Sequence, residues 1–559
     1  MTSPKGTDVE GSDAKPMLVV RPKKAGGSER STFKVLFVYP NFQMSNLLLP
    51  AGVSILSAVL KQAGFQVRLF DTTLYRPEGK SFDEVRLDML QLKTFRLEDR
   101  EIHIKTSDMT EDFRTLLDEY QPNLVAASVL QDTYPLCRGL LAEAHARGIP
   151  VLVGGIWPTF VPQGAMKDPF VDLICRGEGE HMMVALCDRM ARRRPYDDIP
   201  NLGYRGPDGE LVLNPLGPTV NVDELPFSDY SIFEPDRFYR SMQGRVMRII
   251  PVEMHRGCPY QCAFCEDPSL NVIYKGISNY HRAKRPRRLI DEIHFFVETF
   301  GAEYIYFNAE TFFAMPARDF DVMAELYAKE IHLPFWLQTR PETITEDRIA
   351  KLKYMGVANI NVGLEHGNEE FRARVLKRSM KNERIVSGLS ILERHDIPVT
   401  VNNIMGFPDE TRDLIFDTIE LNRSVTSATI NAYLYNPYEG TELYEVCKAK
   451  GYLPADTDEK VVDIALSEEF PYFKTILNMP QITKEELIGM QRTFVLYVKL
   501  PRSEWPKIRL AERLDEEGNR AFAELRARYL GAPAGHNEFE IAPAPAAPAL
   551  PSGYRSPFD

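Results

Sequence analysis

Two long stretches of this chain alternate short, unbroken apolar runs with helical spacing, and that alternation limits the fold more than any other feature. In the first stretch the runs are KVLFVY (34–39), VRLF (67–70), NLVAASV (123–129), VLVGG (151–155) and VDLIC (171–175). Helical patterns lie between them, from about Ala51 to Ala63 before Gly64 and from Tyr134 to Arg147 before Gly148. A strand apolar on both faces must be covered on both faces, which calls for a parallel sheet between layers of helix. Such sheets bind ligands outside the carboxyl ends of their strands. The second stretch repeats the pattern with Arg248 to Met254, EYIYFN (303–308), FWLQT (335–339), NINVGL (359–364), PVTVNN (398–403) and TINAYL (429–434). Helices are expected over 286–300, 316–331, 345–355, 382–394 and 410–424. Six strand–helix units are too few to close an eight-stranded barrel. An open, partial barrel is expected instead, with functional residues at the carboxyl ends of its strands.

Directly after the first strand of the second series comes Arg256-Gly257-Cys258-Pro259-Tyr260-Gln261-Cys262-Ala263-Phe264-Cys265. Three thiolates packed into eight residues, with no fourth cysteine nearby, leave a tetrahedral ion incompletely held. Thiolates are soft ligands suited to zinc, copper(I) or iron–sulfur clusters, and a structural zinc site is normally closed by four protein ligands. A cubane held by three cysteines keeps one iron open to an outside ligand. The competing readings are a zinc knuckle closed by His255 or His281, and three buried structural thiols.

A chain of 559 residues should hold roughly three domains. With 44% hydrophobic and 26% charged residues it has the composition of a soluble protein. No apolar run approaches the roughly 20 residues of a membrane helix, and the first thirty residues lack the pattern of a signal peptide. Seven cysteines, an odd number with three clustered, argue for a reducing compartment, so a cytoplasmic location with no membrane partner is expected. The net charge of −12 argues against a nucleic-acid partner. The basic run from His281 to Arg288 is expected to be a solvated loop leading into a helix near Pro286. Residues 1–30 are expected to be disordered, 531–559 to form a Pro/Ala-rich flexible tail, and 195–247 to be a Pro/Gly-rich linker. Residues 455–530, with helical patterns at Thr483 to Lys499 and Ala511 to Tyr529, are expected to form a helical C-terminal cap over the barrel mouth.

The spacing Cys-x3-Cys-x2-Cys, with Phe264 just before the last cysteine, resembles the cluster motif of the radical S-adenosylmethionine (SAM) enzymes. The preceding Arg-Gly and the Cys-Pro step resemble the members that carry a cobalamin domain. Ser128-Val129-Leu130, Gly154-Gly155-Ile156-Trp157-Pro158-Thr159 and Gly177-Glu178-Gly179-Glu180, in this order, are similar to the cobalamin-binding domain of that class. The resemblance implies an α/β architecture. A flavodoxin-like (Rossmann-type) cobalamin-binding domain would span 31–194, a partial (β/α)6 TIM barrel 248–454 and the helical domain 455–530. It also implies that the corrin's nucleotide tail lies between the Ser-x-Leu and Gly-Gly strand ends. The loop from Tyr39 to Leu47 carries no histidine, which implies a cobalt without a protein imidazole beneath it. Leu225-Pro226-Phe227-Ser228-Asp229-Tyr230 resembles a segment common ahead of the radical SAM core, expected as a packed linker.

Carried over position by position, the resemblance makes Cys258, Cys262 and Cys265 the ligands of a [4Fe–4S] cluster and places Phe264 near the adenine of SAM. Glu310 would meet the SAM ammonium, a charge-assisted pairing. Arg340 would meet the SAM carboxylate, and Glu365 the ribose or Arg340 itself; a purely structural Arg–Glu pair is the alternative. Gly406 and Pro408 belong to Gly406-Phe407-Pro408-Asp409-Glu410-Thr411, similar to a Gly-x-Pro-Gly-Glu-Thr turn near the adenine, with Asp409 where the family has glycine. Ser128, Leu130, Gly154, Gly155, Pro158, Thr159 and Glu178 would line the cobalamin site, and Tyr438 would face the substrate. The function implied is a B12-dependent radical SAM methyltransferase using [4Fe–4S], SAM and cobalamin. Its substrate would be an unactivated carbon, or a phosphinate, of a natural-product or cofactor intermediate or a peptide. A reducing partner such as flavodoxin or ferredoxin is implied as well. Non-methylating ring contraction or oxidative cyclisation is the enzymatic alternative, and a B12 sensor or carrier the non-enzymatic one. A methylthiotransferase is disfavoured, because no cysteine precedes Cys137.

Overall fold

The computed structural model of the chain describes residues 28–41, 48–75, 80–455, 457 and 474–531. Its first sheet contains β1 (Lys34–Tyr39), β2 (Gln66–Asp71), β3 (Leu124–Ser128), β4 (Val151–Gly154) and β5 (Leu173–Cys175). They pair in parallel in the order β2-β1-β3-β4-β5, the flavodoxin-like arrangement whose switch point falls between β1 and β3. Alternate residues of β1 explain the two helix layers. Val35 and Phe37 pack with Val53, Leu60 and Leu186 on one face, while Leu36 and Val38 pack with Phe113, Leu117 and Leu140 on the other.

Residues 195–247, expected as a linker, are built into both sheets. β6 (Leu202–Arg205) and β7 (Leu211–Leu213) extend the first sheet as antiparallel strands. β8 (Tyr239–Met242) pairs antiparallel with β9 (Arg245–Glu253) of the second sheet. Strands this short, set between glycine and proline turns, carry too little periodicity to be seen in sequence. The Leu225 to Tyr230 motif ties the two sheets together. Asp229 is fully buried, accepts from Ser57 Oγ at 2.5 Å and lies 3.0 Å from Lys61 Nζ, while Tyr230 Oη donates to the Pro251 carbonyl at 2.8 Å.

A two-stranded ribbon of β10 (His255–Arg256) and β11 (Arg282–Ala283) brackets the cysteine loop. The second sheet continues through β12 (Tyr304–Asn308), β13 (Phe335–Thr339), β14 (Val357–Glu365), β15 (Val399–Met405) and β16 (Thr429–Leu434). Its order is β8-β9-β12-β13-β14-β15-β16, parallel from β9 onward, so the six parallel strands form a partial barrel with β16 on its free edge. Leu289, Ile293, Phe320, Ile349 and Leu392 pack its outer helices onto the strands.

The helix Lys484–Lys499 covers that free edge. Gln491 Nε2 donates to the Ala432 carbonyl at 2.9 Å, and Gln91 Nε2 of the first module reaches the same oxygen at 3.3 Å. An edge strand so engaged offers less backbone to a foreign strand. The described helix Lys484–Lys499 thus closes the open side of the barrel.

Ser28–Thr32 is helical and Arg30 pairs with Asp188 at 2.6 Å, so the ordered chain begins before residue 31. The expectations for 1–27, for loop positions 42–47 and for 532–559 fall outside the described residues. Among the described residues no helix is long and apolar enough to cross a membrane.

Candidate functional site

The carboxyl ends of both sheets open onto one interior. A cavity of about 710 Å³ is lined by Tyr39, Ser128 and Leu130 from the first sheet and by Gln338, Asn361 and Asn402 from the second. A second cavity of about 360 Å³ is lined by Ser128, Gly154, Gly155, Gly177 and Glu178 on one side and by His255, Gly257 and Glu310 on the other. Ser128, Gly155 and Ile156 line both, so the two spaces adjoin.

Glycines form part of the wall of the smaller cavity, a cradle in which a side chain at those positions would run into neighbouring protein. Gly155 has φ +108°, and a Cβ there would meet the Val129 carbonyl oxygen at 2.5 Å. A Cβ at Gly154 would press on Cys175 Cβ at 3.1 Å, and one at Gly177 would collide with the Tyr274 hydroxyl. Thr159 and Pro158, expected at the ligand, line neither cavity. Thr159 is buried and braces the cradle from behind: its Oγ1 donates to the Gly155 carbonyl at 2.7 Å and accepts from the Gly177 N–H at 2.9 Å. Glu178 lines the cavity, but its carboxylate is engaged by the Val220 N–H (2.8 Å), by Arg256 (3.3 Å) and by Arg282, which makes it a tie between modules. Leu130 is 38% exposed at the mouth of the larger cavity.

The cysteine loop leaves β10 through Gly257, whose φ of +78° and closeness to Tyr280 favour glycine. Cys258 and Cys262 are buried and Cys265 is half-buried. Backbone bonds fix the loop to the barrel: Ala263 N–H to the Leu376 carbonyl (3.2 Å) and Leu443 N–H to the Ala263 carbonyl (3.0 Å). Arg340 Nη1 donates to Cys262 Sγ at 2.9 Å and Arg378 Nη1 lies 3.9 Å from the same sulfur, so two guanidiniums hold its position. Burial pushes the Cys258 thiol up to about 11 and raises Cys265 as well. A bound metal reverses that tendency, since a coordinating thiol is deprotonated.

Among the described residues, no three His, Cys, Asp or Glu side chains converge on a single-ion position. Zinc requires such convergence, with thiolates about 2.3 Å from one ion. His255 is occupied elsewhere, with Nε2 3.1 Å from the Thr311 carbonyl and Nδ1 3.3 Å from Glu310, and His281 packs edge-on against it. Three cysteines on one loop, two buried and one half-buried, fit a cluster in which each would bind a different iron.

The strand ends around the loop carry the remaining expected residues. Glu310 follows β12 and lines the smaller cavity. Arg340 lies over the Tyr260 ring at 3.9 Å and pairs with Glu342 at 2.6 Å. The alternative Arg340–Glu365 pair is not formed: Glu365, at φ +66°, has Arg378 as its ion-pair partner at 3.6 Å. In the turn after β15, the N–H groups of Gly406 and Phe407 donate to Glu410 Oε2 at 2.5 and 3.0 Å. The other Glu410 oxygen lies 3.0 Å from His366 Nε2, both side chains wholly buried. Asp409 has φ +65°, so the position keeps the left-handed backbone a glycine would adopt, and Lys450 (2.6 Å) and Tyr452 (2.8 Å) anchor its carboxylate. Phe264 meets Phe407 at 5.7 Å between ring centroids, which joins the cysteine loop to this turn, and Pro408 is buried beside it.

One group of lining residues was missed in the sequence. Tyr306, Trp336, Asn361, Asn402 and Asn431 face the barrel interior, together with Arg240 from β8 and Asp83 and Arg86 from the helix Phe82–Asp88. The signal was present as alternating polar residues within runs read only for their apolar content: Asn359 and Asn361, Thr400 and Asn402, Thr429 and Asn431.

Comparison with known proteins agrees with this architecture. The family model of the radical SAM superfamily matches residues 252–421, and that of the B12 binding domain matches residues 87–187. An uncharacterised methyltransferase of Pyrococcus horikoshii is 24% identical over 353 residues, covering 62% of this chain and 74% of its own. The anaerobic magnesium-protoporphyrin IX monomethyl ester cyclase of Rubrivivax gelatinosus is 23% identical over 427 residues, covering 74% of this chain and 69% of its own. The structure of the radical SAM methyltransferase TsrM from Kitasatospora setae, with cobalamin and a [4Fe–4S] cluster bound, superposes with a TM-score of 0.59 at 16% identity. That match covers 89% of this chain and 99% of the other and shows a shared fold.

Proposed function

We propose that this chain, a member of the radical SAM superfamily with an N-terminal B12-binding domain, is a cobalamin-dependent methyltransferase acting on an unactivated carbon of a small molecule or peptide. One observation carries the reading: the glycines at the end of the first sheet and Gly257, which opens the cysteine loop of the second, line the same cavity. When bound, the cluster, SAM and cobalamin supply hydrogen abstraction by a radical and a transferable methyl group, chemistry that belongs to the cofactors.

The chain's own residues hold, orient and shield. Cys258, Cys262 and Cys265 would hold the cluster, with Arg340 and Arg378 in contact with the Cys262 sulfur. Glu310 would accept from the SAM ammonium, Arg340 would pair with its carboxylate and Glu365 would reach the ribose. Phe264 and the Gly406 to Pro408 turn would bound the adenine. Ser128, Leu130, Gly154 and Gly155 would seat the corrin, with Thr159 and Glu178 bracing them. The expected electron donor is a flavodoxin or ferredoxin in the cytoplasm.

Oxidative cyclisation is the second reading, favoured by the similarity to a cyclase. The test is anaerobic reconstitution with iron, sulfide and hydroxocobalamin, then incubation with methyl-labelled SAM and a reductant. Methylation predicts 5′-deoxyadenosine release, label in the product and loss of both in Cys262→Ala. Cyclisation predicts an oxidised, unlabelled product. Cobalamin retention without SAM cleavage would instead mark a sensor or carrier.

A further inference from the structure

The larger cavity has a charged end on its barrel side. Among its described lining residues the charged side chains are Arg86, Arg240 and Asp83, two guanidiniums against one carboxylate. The same three also line a 70 Å³ annex that continues past Asn359 and Thr400, whereas Ser128, Leu130 and Gly155 do not. The positive excess therefore sits at the barrel end of the cavity, away from the corrin-side loops.

Both guanidiniums are held in place before any ligand arrives. Arg240 lies over Trp336 at 5.0 Å, and Trp336 is itself stacked on Tyr306 at 4.2 Å between centroids. Arg86 Nη2 donates to Asn431 Oδ1 at 3.1 Å, and Asn431 Nδ2 donates onward to Asn402 Oδ1 at 2.8 Å. Asn361 likewise accepts through Oδ1, from Asn359 at 2.9 Å. Those bonds orient the amides of Asn402 and Asn361 as donors at Nδ2. Two further donors, Trp336 Nε1 and Arg86 Nε, are buried without a partner. Asp83 faces both cations, with its Oδ1 3.5 Å from Arg86 Nη1, which leaves one positive charge in excess among the described lining residues. A surplus of fixed donors and positive charge in a partly enclosed space calls for an acceptor-rich anion.

Resting on the methyltransferase reading, the geometry points to a substrate bearing a carboxylate or phosphate group that Arg86 and Arg240 bind at the barrel end of this cavity. The rest of the substrate then extends toward the strand ends of the first sheet, where the reacting carbon lies. A cationic substrate is repelled there, and a neutral one leaves the surplus charge unmet.

The test is calorimetric binding to the anaerobically reconstituted full chain, with benzoate and phenyl phosphate as probes beside uncharged methyl benzoate and dimethyl phenyl phosphate. At least one anion should bind ten times or more tighter than its ester. Arg240→Gln and Arg86→Gln should each weaken that anion by tenfold or more and leave the ester unchanged, while Arg240→Lys should restore part of the loss. Preference for benzoate assigns a carboxylate substrate, and preference for phenyl phosphate assigns a phosphate. Equal binding of acid and ester, no binding of any probe, or no effect of the glutamine variants overturns the proposal. Cobalamin content and thermal midpoint report folding of each variant. 5′-Deoxyadenosine release by the wild-type chain is scored separately, so a failure here is distinguishable from a failure of the methyltransferase reading.

Discussion

At Gly155 the backbone turns into the left-handed region, and a side chain would run into the Val129 carbonyl oxygen 2.5 Å away. Gly155→Ala should therefore cost about 1–3 kcal/mol of stability and should lose bound cobalamin, read as a lower thermal midpoint and loss of corrin absorbance after desalting. Wild-type retention of cobalamin would mean that the cradle does not seat the corrin. Glu410 poses a different local problem, because its buried carboxylate holds two N–H groups and faces His366. Glu410→Ala should destabilise the fold by roughly 3 kcal/mol, measured by urea unfolding; a change below about 0.5 kcal/mol, typical of surface positions, would contradict this. Single residues were unevenly legible in the sequence. The cysteines were visible because their spacing is local. The bracing contacts of Thr159 and Glu178 were not legible, because their partners, Gly177 and Arg282, come from segments that only the fold brings near. The basic run from His281 to Arg288 leads into a helix at Pro286 with Arg285 and Arg287 exposed, as expected, but Lys284 is buried on Glu292 at 2.7 Å.

Where loops from the two sheets meet, Tyr438 Oη donates to Asp132 Oδ2 at 3.3 Å, and the other Asp132 oxygen is buried without a partner. Burial pushes the Asp132 carboxyl up to about 6. A carboxyl raised on folding favours the protonated folded state, so its contribution is full below its ordinary value near 4 and disappears as pH rises through 6. Asp132→Asn should thus gain roughly 3 kcal/mol on the wild type between pH 4 and pH 7, followed as the difference in urea midpoint. A difference that stays flat across that range would contradict the buried, charged assignment. Strands longer than four residues were legible, and β13 was read from Phe335 to Thr339 as found. β6, β7 and β8 were not, because three or four residues beside tight turns show no period. The polar lumen escaped notice because the pairs Asn361–Thr400 and Asn402–Asn431 become a feature only once β14, β15 and β16 are in register.

At the scale of the whole molecule, the two modules share one interior and are joined by buried charges. Arg237 pairs with Asp71 at 2.6 Å, and Arg256 and Arg282 both reach Glu178. Breaking a buried pair typically costs about 3–5 kcal/mol. In the reconstituted protein, cobalamin release and loss of far-UV ellipticity should therefore coincide in a urea titration, and Arg237→Ala should move both to lower urea together. Separate transitions in the wild type would show two independently stable modules. The order of modules was legible from the two alternating series, but their shared cavity was not, since it depends on how the sheets face each other. The central claim is that three cysteine sulfurs hold an iron–sulfur cluster with an iron open to SAM beside a bound corrin. Its most direct test is the paramagnetic resonance spectrum of the reduced, cobalamin-loaded protein with and without SAM. The account predicts a reduced-cluster signal that shifts when SAM is added and is absent in Cys262→Ala; zinc in place of iron and sulfide, or a cluster signal that SAM leaves unchanged, would contradict it.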